Sequence, residues 1–348
     1  MAFNQTVAIE RMPMTRKPTI SDVAKLAGLS TATVDRVLND RGGVAPEKEV
    51  RVLSAARRLK LGRVLTRRYS RVLRIAVLIQ SSVNPFHAAL HQAFRAANGA
   101  YADLNIQFLI HHIWPSDVGR IAKAIRSVGA QHDGLIVSSP EERRIAAAVR
   151  DIARRIPVVT LATDLPDSGR SAYVGPDDMM AGRVAGDLMG RFLGREGGDV
   201  VLIAGLLSVV GQRQRQAGFR QVLSEHYPNC RFHSAFETNE DAERAGLVVA
   251  QALRDNSAIR GVYHITAGAT EIVAALRAQG PAVTLITHEL TQERRALLRE
   301  RAIAAVIDQN AEFEVRTAAE VMARFLGRAD GPGATTHTPV QIYTPENA

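Results

Sequence analysis

The sequence predicts a small all-α helix-turn-helix head followed by an α/β body of two doubly wound, parallel-sheet subdomains. Three observations predict it. Residues 18–61 carry three short helical patterns, the first two separated only by a turn at Gly28. From Val72 onward, apolar strand-like runs alternate with amphipathic helical ones, and after Tyr173-Val174-Gly175-Pro176-Asp177-Asp178 the alternation starts again. Charge divides at the same place. Residues 1–74 hold 16 Lys/Arg against 6 Asp/Glu, a net of +10, and the remainder holds 28 against 29, a net of −1. A basic head on a neutral body is an electrostatic footprint for a polyanion.

In the head, Thr19 can cap the first helix with Asp22 three residues on. Val23, Leu26 and Ala27 fall on one apolar face. Gly28 permits a tight turn, Leu29 plugs it, and Ser30 caps the second helix. There Val34, Val37 and Leu38 point inward, leaving Thr31, Ala32, Asp35 and Arg36 outward. Pro46 suits the first turn of a third helix with inner residues Val50, Leu53, Ala56 and Leu59. This layout places the second helix in the DNA major groove. The planar fork of Arg36 suits guanine O6 and N7, with an ion pair to Asp40 as its alternative. Asp35 can accept from a cytosine amino group, or be neutralised locally by Arg36 or a nearby lysine.

Ile20-Ser21-Asp22-Val23-Ala24, Ala27-Gly28-Leu29-Ser30, Thr33 through Asn39 and Val44-Ala45-Pro46 resemble the DNA-binding head of the lactose-repressor family, and the likeness runs to about Leu61. The resemblance implies that Thr31, Ala32 and Arg36 read base edges. Ser30, Thr33 and Asn39 match backbone-contact positions, and Thr19 and Asp35 complete the set on the head. Asp35 stands where the family usually has serine. The family follows its third helix with a short hinge helix that wedges leucine into the minor groove; here a shorter linker, 62–71, stands in that place. It lacks the usual proline, leaving Leu65 as the wedge and Arg63, Arg67, Arg68 and Arg71 as phosphate contacts.

The body reads in order as strand LRIAVLIQ, helix Phe86–Leu104, strand NIQFLIHHI, helix Val118–Gly129, strand DGLIVSS, a helix over 141–155 and strand IPVVTL. After the restart come helix 179–193, strand DVVLIAG, helix 211–226, a strand near 231–236, helix 240–254, strand GVYHI, helix 270–278 and strand VTLIT. Alternation of this kind implies right-handed βαβ units, with ligands beyond the C-terminal strand ends.

The order and lengths resemble a type I periplasmic-binding-protein fold, the effector domain of the same repressor family, over about residues 72–345. That implies an N-subdomain of 72–176 with 289–318 and a C-subdomain of 177–288 with 319–345, after a tail at 1–17. Asn84-Pro85-Phe86, Asp164, Asp177-Asp178, Arg215 in Arg215-Gln216-Ala217-Gly218-Phe219, His288-Glu289 and Asp308-Gln309 fall in the expected order. The resemblance implies that Asn84, Phe86, Asp164, Asp177, Asp178, Arg215, Glu289 and Gln309 line a sugar or polyol cleft. Such side chains suit hydroxyls, since carboxylates accept, amides do both and arginine donates a pair. Asp177 or Asp178 can instead cap a helix. Glu289 replaces a commoner aspartate, and Thr266-Ala267-Gly268-Ala269-Thr270 lacks the usual Asn or Asp. His87 and His91 have the i, i+4 spacing of metal ligands, but with no third ligand a helix surface is the expectation, and neither metal nor cofactor is expected.

Composition is that of a globular protein, 46% hydrophobic and 23% charged. A lone cysteine, Cys230, forms no intramolecular disulfide and fits a reducing compartment. No apolar run approaches the roughly 20 residues of a membrane span. The first 17 residues lack a signal-peptide core, so a cytoplasmic location is expected, with residues 1–13 a tail or an over-long start. No G-x-G-x-x-G follows a strand, and neither G-x-x-x-x-G-K-[ST] nor G-x-S-x-G occurs, which argues against an enzyme. The expectation is a ligand-controlled transcriptional regulator, a repressor, binding a palindromic operator in double-stranded DNA as a homodimer. A sugar-binding protein without a transcriptional role and an α/β enzyme are the alternatives.

Overall fold

The computed structural model describes residues 18–39, 41–59, 61, 71–81, 85–114, 116–279 and 283–348. The predicted Leu65 and Asn84 lie outside them, as does Asp40. The chain divides into a helical head before Val72 and an α/β body that takes in nearly all that follows.

The head has α1 (Ile20–Ala27), α2 (Thr31–Leu38) and α3 (Pro46–Arg58). Thr19 and Asp22 form a reciprocal capping box at α1. Gly28 sits at φ +62°, the left-handed region that closes a helix. The core is Val23, Ala24, Ala27, Val34, Val37, Val52, Leu53, Ala55 and Ala56. Leu26 is a correction: it is 43% exposed, and Ala24 takes the inward place beside Val23 and Ala27. On α3, Val52 and Ala55 are buried beside Leu53 and Ala56, while Val50 and Leu59 are half-buried.

Among the described residues the body contains two six-stranded sheets. The first is ordered β11-β5-β4-β3-β1-β2: β1 (Leu73–Gln80), β2 (Ile106–Ile113), β3 (Gly134–Val137), β4 (Val158–Leu161), β5 (Ala172–Pro176) and β11 (Thr336–Thr338), with every pairing parallel. The second is ordered β12-β10-β9-β8-β6-β7: β6 (Gly198–Ala204), β7 (Cys230–Glu237), β8 (Ile259–His264), β9 (Thr284–His288), β10 (Ala305–Asp308) and β12 (Gln341–Tyr343). Only β12 runs antiparallel to its neighbour.

Strand periodicity builds the layers. In β6, Val201 and Ile203 face one side and pack with Val249 of α9 (Ala242–Asp255) and Ile272 of α10 (Ala269–Gln279). Val200 and Leu202 face the other side, with Ala185 and Met189 of α7 (Asp178–Leu193) and Phe219 and Leu223 of α8 (Val210–His226). In the first sheet, Ala76, Leu78, Leu135 and Val137 pack with Ile121 and Ile125 of α5 (Val118–Gly129) and Ile145 and Val149 of α6 (Arg143–Ala153). Its other face carries α4 (Pro85–Ala100) and α12 (Ala311–Phe325). Full burial of one such Phe or Leu contributes roughly 1.5–3 kcal/mol.

Four strands escaped the sequence reading, β5, β10, β11 and β12, as did α11 (Gln292–Arg299) and α12. They shift the subdomain division. Residues 305–308, expected in the N-subdomain, pair with β9 in the second sheet. Residues 319–325 continue α12, which packs on α4, β4 and β5, and 336–338 join β5 in the first sheet. The chain therefore passes between the sheets three times: after β5, after β10 and after β11.

Candidate functional site

Two regions collect the chemistry, one on the head and one at the strand ends of the body. In the head, Ser30 caps α2 by accepting from Thr33 N at 3.1 Å, and its hydroxyl meets Thr33 Oγ1 at 2.8 Å. Ser30, Thr31, Ala32, Arg36 and Asn39 are exposed, and Thr33 and Asp35 are half-buried at the edge of the same surface. Arg36 Nε donates to Gly42 O at 3.2 Å, which lays the exposed guanidinium against the turn at Gly42 and Gly43. Asp35 accepts from Asn39 Nδ2 at 2.5 Å and from Arg41 Nη1 at 2.8 Å. Its neutralising partner is thus Arg41, neither Arg36 nor a lysine. Arg51 was not anticipated; it reaches 24 residues back to donate to Ala27 O at 2.6 Å, fastening the turn.

The body site forms where strands end and loops begin, as parallel sheets dictate. Arg215 on α8 is its centre, 9% exposed. Glycines fix it in place. A Cβ on Gly182 would strike the Arg215 carbonyl, and one on Gly218 would strike Met179 O, so α7 and α8 meet backbone to backbone. Arg215 Nε donates to Asp178 Oδ1 at 2.7 Å, and Nη1 lies 4.0 Å from Glu289 Oε1. Burial alone would weaken its charge, but Asp178 and Glu289 outweigh that and hold it above the ordinary arginine value.

Glu289, just after β9, adopts φ +63°, unusual for a side-chain-bearing residue, and accepts from Gln309 Nε2. Burial, opposed by Arg215, pushes its carboxyl up to about 7. Behind it, Arg294 donates to Glu289 O at 3.3 Å and to Thr266 O at 2.5 Å. Tyr263 OH meets His288 Nε2 at 2.6 Å, and the Tyr263 ring stacks on Phe219 at 4.6 Å. Burial, then the charge of Arg215, hold His288 well below its ordinary value, so it stays neutral.

The other predicted residues divide. Asp178 joins Arg215, whereas Asp177 caps α7 through Met180 N at 2.9 Å. Asp164 is held by Arg170, whose Nη2 donates at 2.6 Å, and by Thr160 Oγ1 and Leu165 N. Asp164, Asp177, Asp178, Tyr173 and Gln214 line a cavity of about 300 Å³. Phe86 is half-buried on the first turn of α4, edge-on to His87 at 5.5 Å. His91 stacks on His112 at 5.6 Å, and among the described residues no three His, Cys, Asp or Glu gather to hold a metal. Sequence reading missed Arg294 and the Tyr263–His288 pair; an arginine within an amphipathic helix gives no sign of which way it faces.

Comparison with known proteins agrees with both regions. The family model described as a periplasmic binding protein domain matches residues 75–329, and that of bacterial regulatory proteins, lacI family, matches 19–60. The ribose operon repressor of Bacillus subtilis is 41% identical over 92 residues, 25% of this chain and 26% of that protein. The HTH-type transcriptional repressor PurR of Pectobacterium carotovorum is 31% identical over 214 residues, 60% of each chain. These alignments span between about a quarter and three-fifths of those relatives' lengths. A solute-binding protein from Burkholderia graminis, solved with D-arabinose, superposes with a TM-score of 0.72 at 21% identity, covering 79% of this chain and 96% of that one. That likeness shows the fold of the body. Fold and site define a two-lobed binding domain joined to a helix-turn-helix head. The chain belongs to the periplasmic binding protein domain family through its body, and its head matches the model of bacterial regulatory proteins, lacI family. No helix among the described residues is long and apolar enough to cross a membrane.

Proposed function

We propose that the protein is a sequence-specific transcriptional regulator, a repressor, whose operator affinity is set by a sugar or polyol bound between the two sheets of the body. The observation that carries the reading is the buried Arg215–Asp178–Glu289–Gln309 cluster. It assembles hydrogen-bond donors and acceptors from α7, α8 and the loops after β9 and β10, where a small polar ligand is recognised. The relatives support it, since their names describe operon repressors and sugar-binding proteins.

In this reading Thr31, Ala32 and Arg36 meet base edges while Thr19, Ser30, Thr33 and Asn39 meet the backbone. Asp35, held by Arg41, keeps that face from becoming uniformly cationic. Leu65 and Asn84 remain candidates for the minor-groove wedge and the ligand contact. Phe86 and Asp164 supply an apolar surface and a carboxylate edge to the ligand. The protein works in the cytoplasm as a homodimer on a two-fold operator. Its action needs binding and no covalent step. Ligand and operator influence each other equally, because coupling between two sites is reciprocal.

The test selects binding sites from random duplex DNA, then measures operator affinity with and without pentoses, hexoses and polyols. A palindromic consensus released by one sugar is the expected result. Equal affinity for every duplex would defeat the reading.

A further inference from the structure

Two glycines in a row form the turn that leaves α2, and Arg36 lies against one of them. Gly42 and Gly43 have φ of +63° and +70°, the left-handed region that glycine enters without strain. The turn is fastened to α2 by three hydrogen bonds. Arg41 N donates to Arg36 O at 3.0 Å, Arg41 Nη1 to Asp35 Oδ2 at 2.8 Å and Arg36 Nε to Gly42 O at 3.2 Å. Beyond the glycines, half-buried Val44 packs against the core of the head.

The two glycines differ in one respect. A Cβ on Gly42 would meet nothing within 4 Å, whereas a Cβ on Gly43 would come 2.8 Å from Arg36 Nη2. Backbone conformation accounts for glycine at both positions; only at 43 is the space also taken by a side chain. The atom struck there is the tip of a flexible chain, so a methyl group displaces Arg36 and leaves the fold in place. An exposed arginine ordinarily spreads over many rotamers, and fixing one of them costs entropy on binding. Here Gly42 O holds Nε and Gly43 leaves room for the guanidinium, so the pose is set before DNA arrives. With Nε engaged, Nη1 and Nη2 remain as the pair that can meet guanine O6 and N7.

We propose that Gly43 is a positioning residue that sets the specificity of the head: it acts through Arg36, keeping the guanidinium in the pose that reads one base pair of each half-site. The assignment rests on the reading of Arg36 as a base contact, and Gly42 is its built-in control.

The experiment selects binding sites from random duplex DNA with the full chain, then measures affinity for the wild-type consensus and its single-base variants. The proteins are the wild type, Gly42→Ala, Gly43→Ala, Arg36→Ala and the double variant Gly43→Ala with Arg36→Ala. The two glycine variants carry similar backbone strain, so a difference between them belongs to Arg36. Gly42→Ala is expected to keep the consensus. Gly43→Ala is expected to lose at least about tenfold of the discrimination at the position that Arg36→Ala relaxes, and to keep it elsewhere. In the Arg36→Ala background it adds nothing. Like changes in both glycine variants, a loss spread over every position, or unchanged or sharper discrimination in Gly43→Ala overturns the role of Gly43. An Arg36→Ala consensus equal to the wild type also overturns it and leaves the regulator standing, whereas a wild type that selects no consensus overturns both. Should the glycine variants not fold, the wild type decides by NMR. The Arg36 Nε–H, assigned by its loss in Arg36→Ala, is expected to exchange with water more slowly than that of free arginine. Equally fast exchange overturns the pinned pose.

Discussion

Arg215 Nε donates to Asp178 Oδ1 across 2.7 Å, tying α8 to the first turn of α7 with each side chain 11% exposed. Removing one partner of a buried pair leaves the other charge stranded, which costs about 3–5 kcal/mol. Arg215→Ala is therefore expected to lower stability by that order in urea unfolding and to abolish sugar-induced stabilisation. Replacing both partners, as Arg215→Met with Asp178→Leu, is expected to cost less stability than Arg215→Ala while still eliminating the sugar response.

The glycines behind Arg215 give a second prediction. Gly182→Ala forces a methyl group into the Arg215 carbonyl. Overpacking of this kind costs roughly 1–3 kcal/mol, and a backbone obstacle places it at the upper end. Gly99 lies inside α4 with nothing within 4 Å of an added Cβ. Gly99→Ala is expected to stabilise by up to about 1 kcal/mol. Thermal unfolding of the two variants should move in opposite directions.

On the head, Arg36→Ala is expected to weaken specific operator binding by about 1–3 kcal/mol and to relax base preference at one position of each half-site. Asp35→Ser removes a carboxylate and releases Arg41, so binding to random DNA should tighten and depend more steeply on salt. Fluorescence anisotropy over a salt series separates the two effects. Equal losses on operator and random DNA for Arg36→Ala would make it a phosphate contact.

Among the groups through which stability should respond to pH, His87 and Glu289 act in opposite directions. Burial lowers His87 to about 4, below the ordinary 6.5, so its contribution is complete above pH 6.5 and is lost as pH falls toward 4. Glu289 is raised from 4.5 to about 7, so its contribution is complete below pH 4.5 and is lost as pH rises through 7. Glu289→Gln is expected to remove that second decline, at most about 3 kcal/mol, from the pH profile of chemical unfolding. An unchanged profile above pH 5 would contradict the burial assigned to this carboxyl.

The parts legible in the sequence are those governed by local rules. Thr19, Asp22 and Ser30 announce caps, Gly28 a turn, and strands such as Leu73–Gln80 announce themselves by apolar continuity. Arg215 and Glu289, named from resemblance, come together in space although 74 residues apart in sequence. What stayed hidden depends on tertiary geometry. The short strands β10, β11 and β12 hold only three or four residues each, too few for periodicity to register. Asp177 and Asp178 are adjacent and chemically alike; only the approach of α8 sends one to Arg215 and leaves the other as a cap. Leu26 fits the helical stripe but stays 43% exposed, and Ala24 is buried in its place.

Strands β11 and β12 are separated by only Pro339 and Val340, yet each forms the edge of a different sheet. During synthesis, then, neither lobe can reach its final strand count until residue 338 has been made for one and residue 343 for the other. The two halves of the body are thus completed within a few residues of each other, although the first begins more than 250 residues earlier at Leu73. A nascent body is left with two unfinished sheet edges until that moment, and an unpaired edge is the template on which chains aggregate.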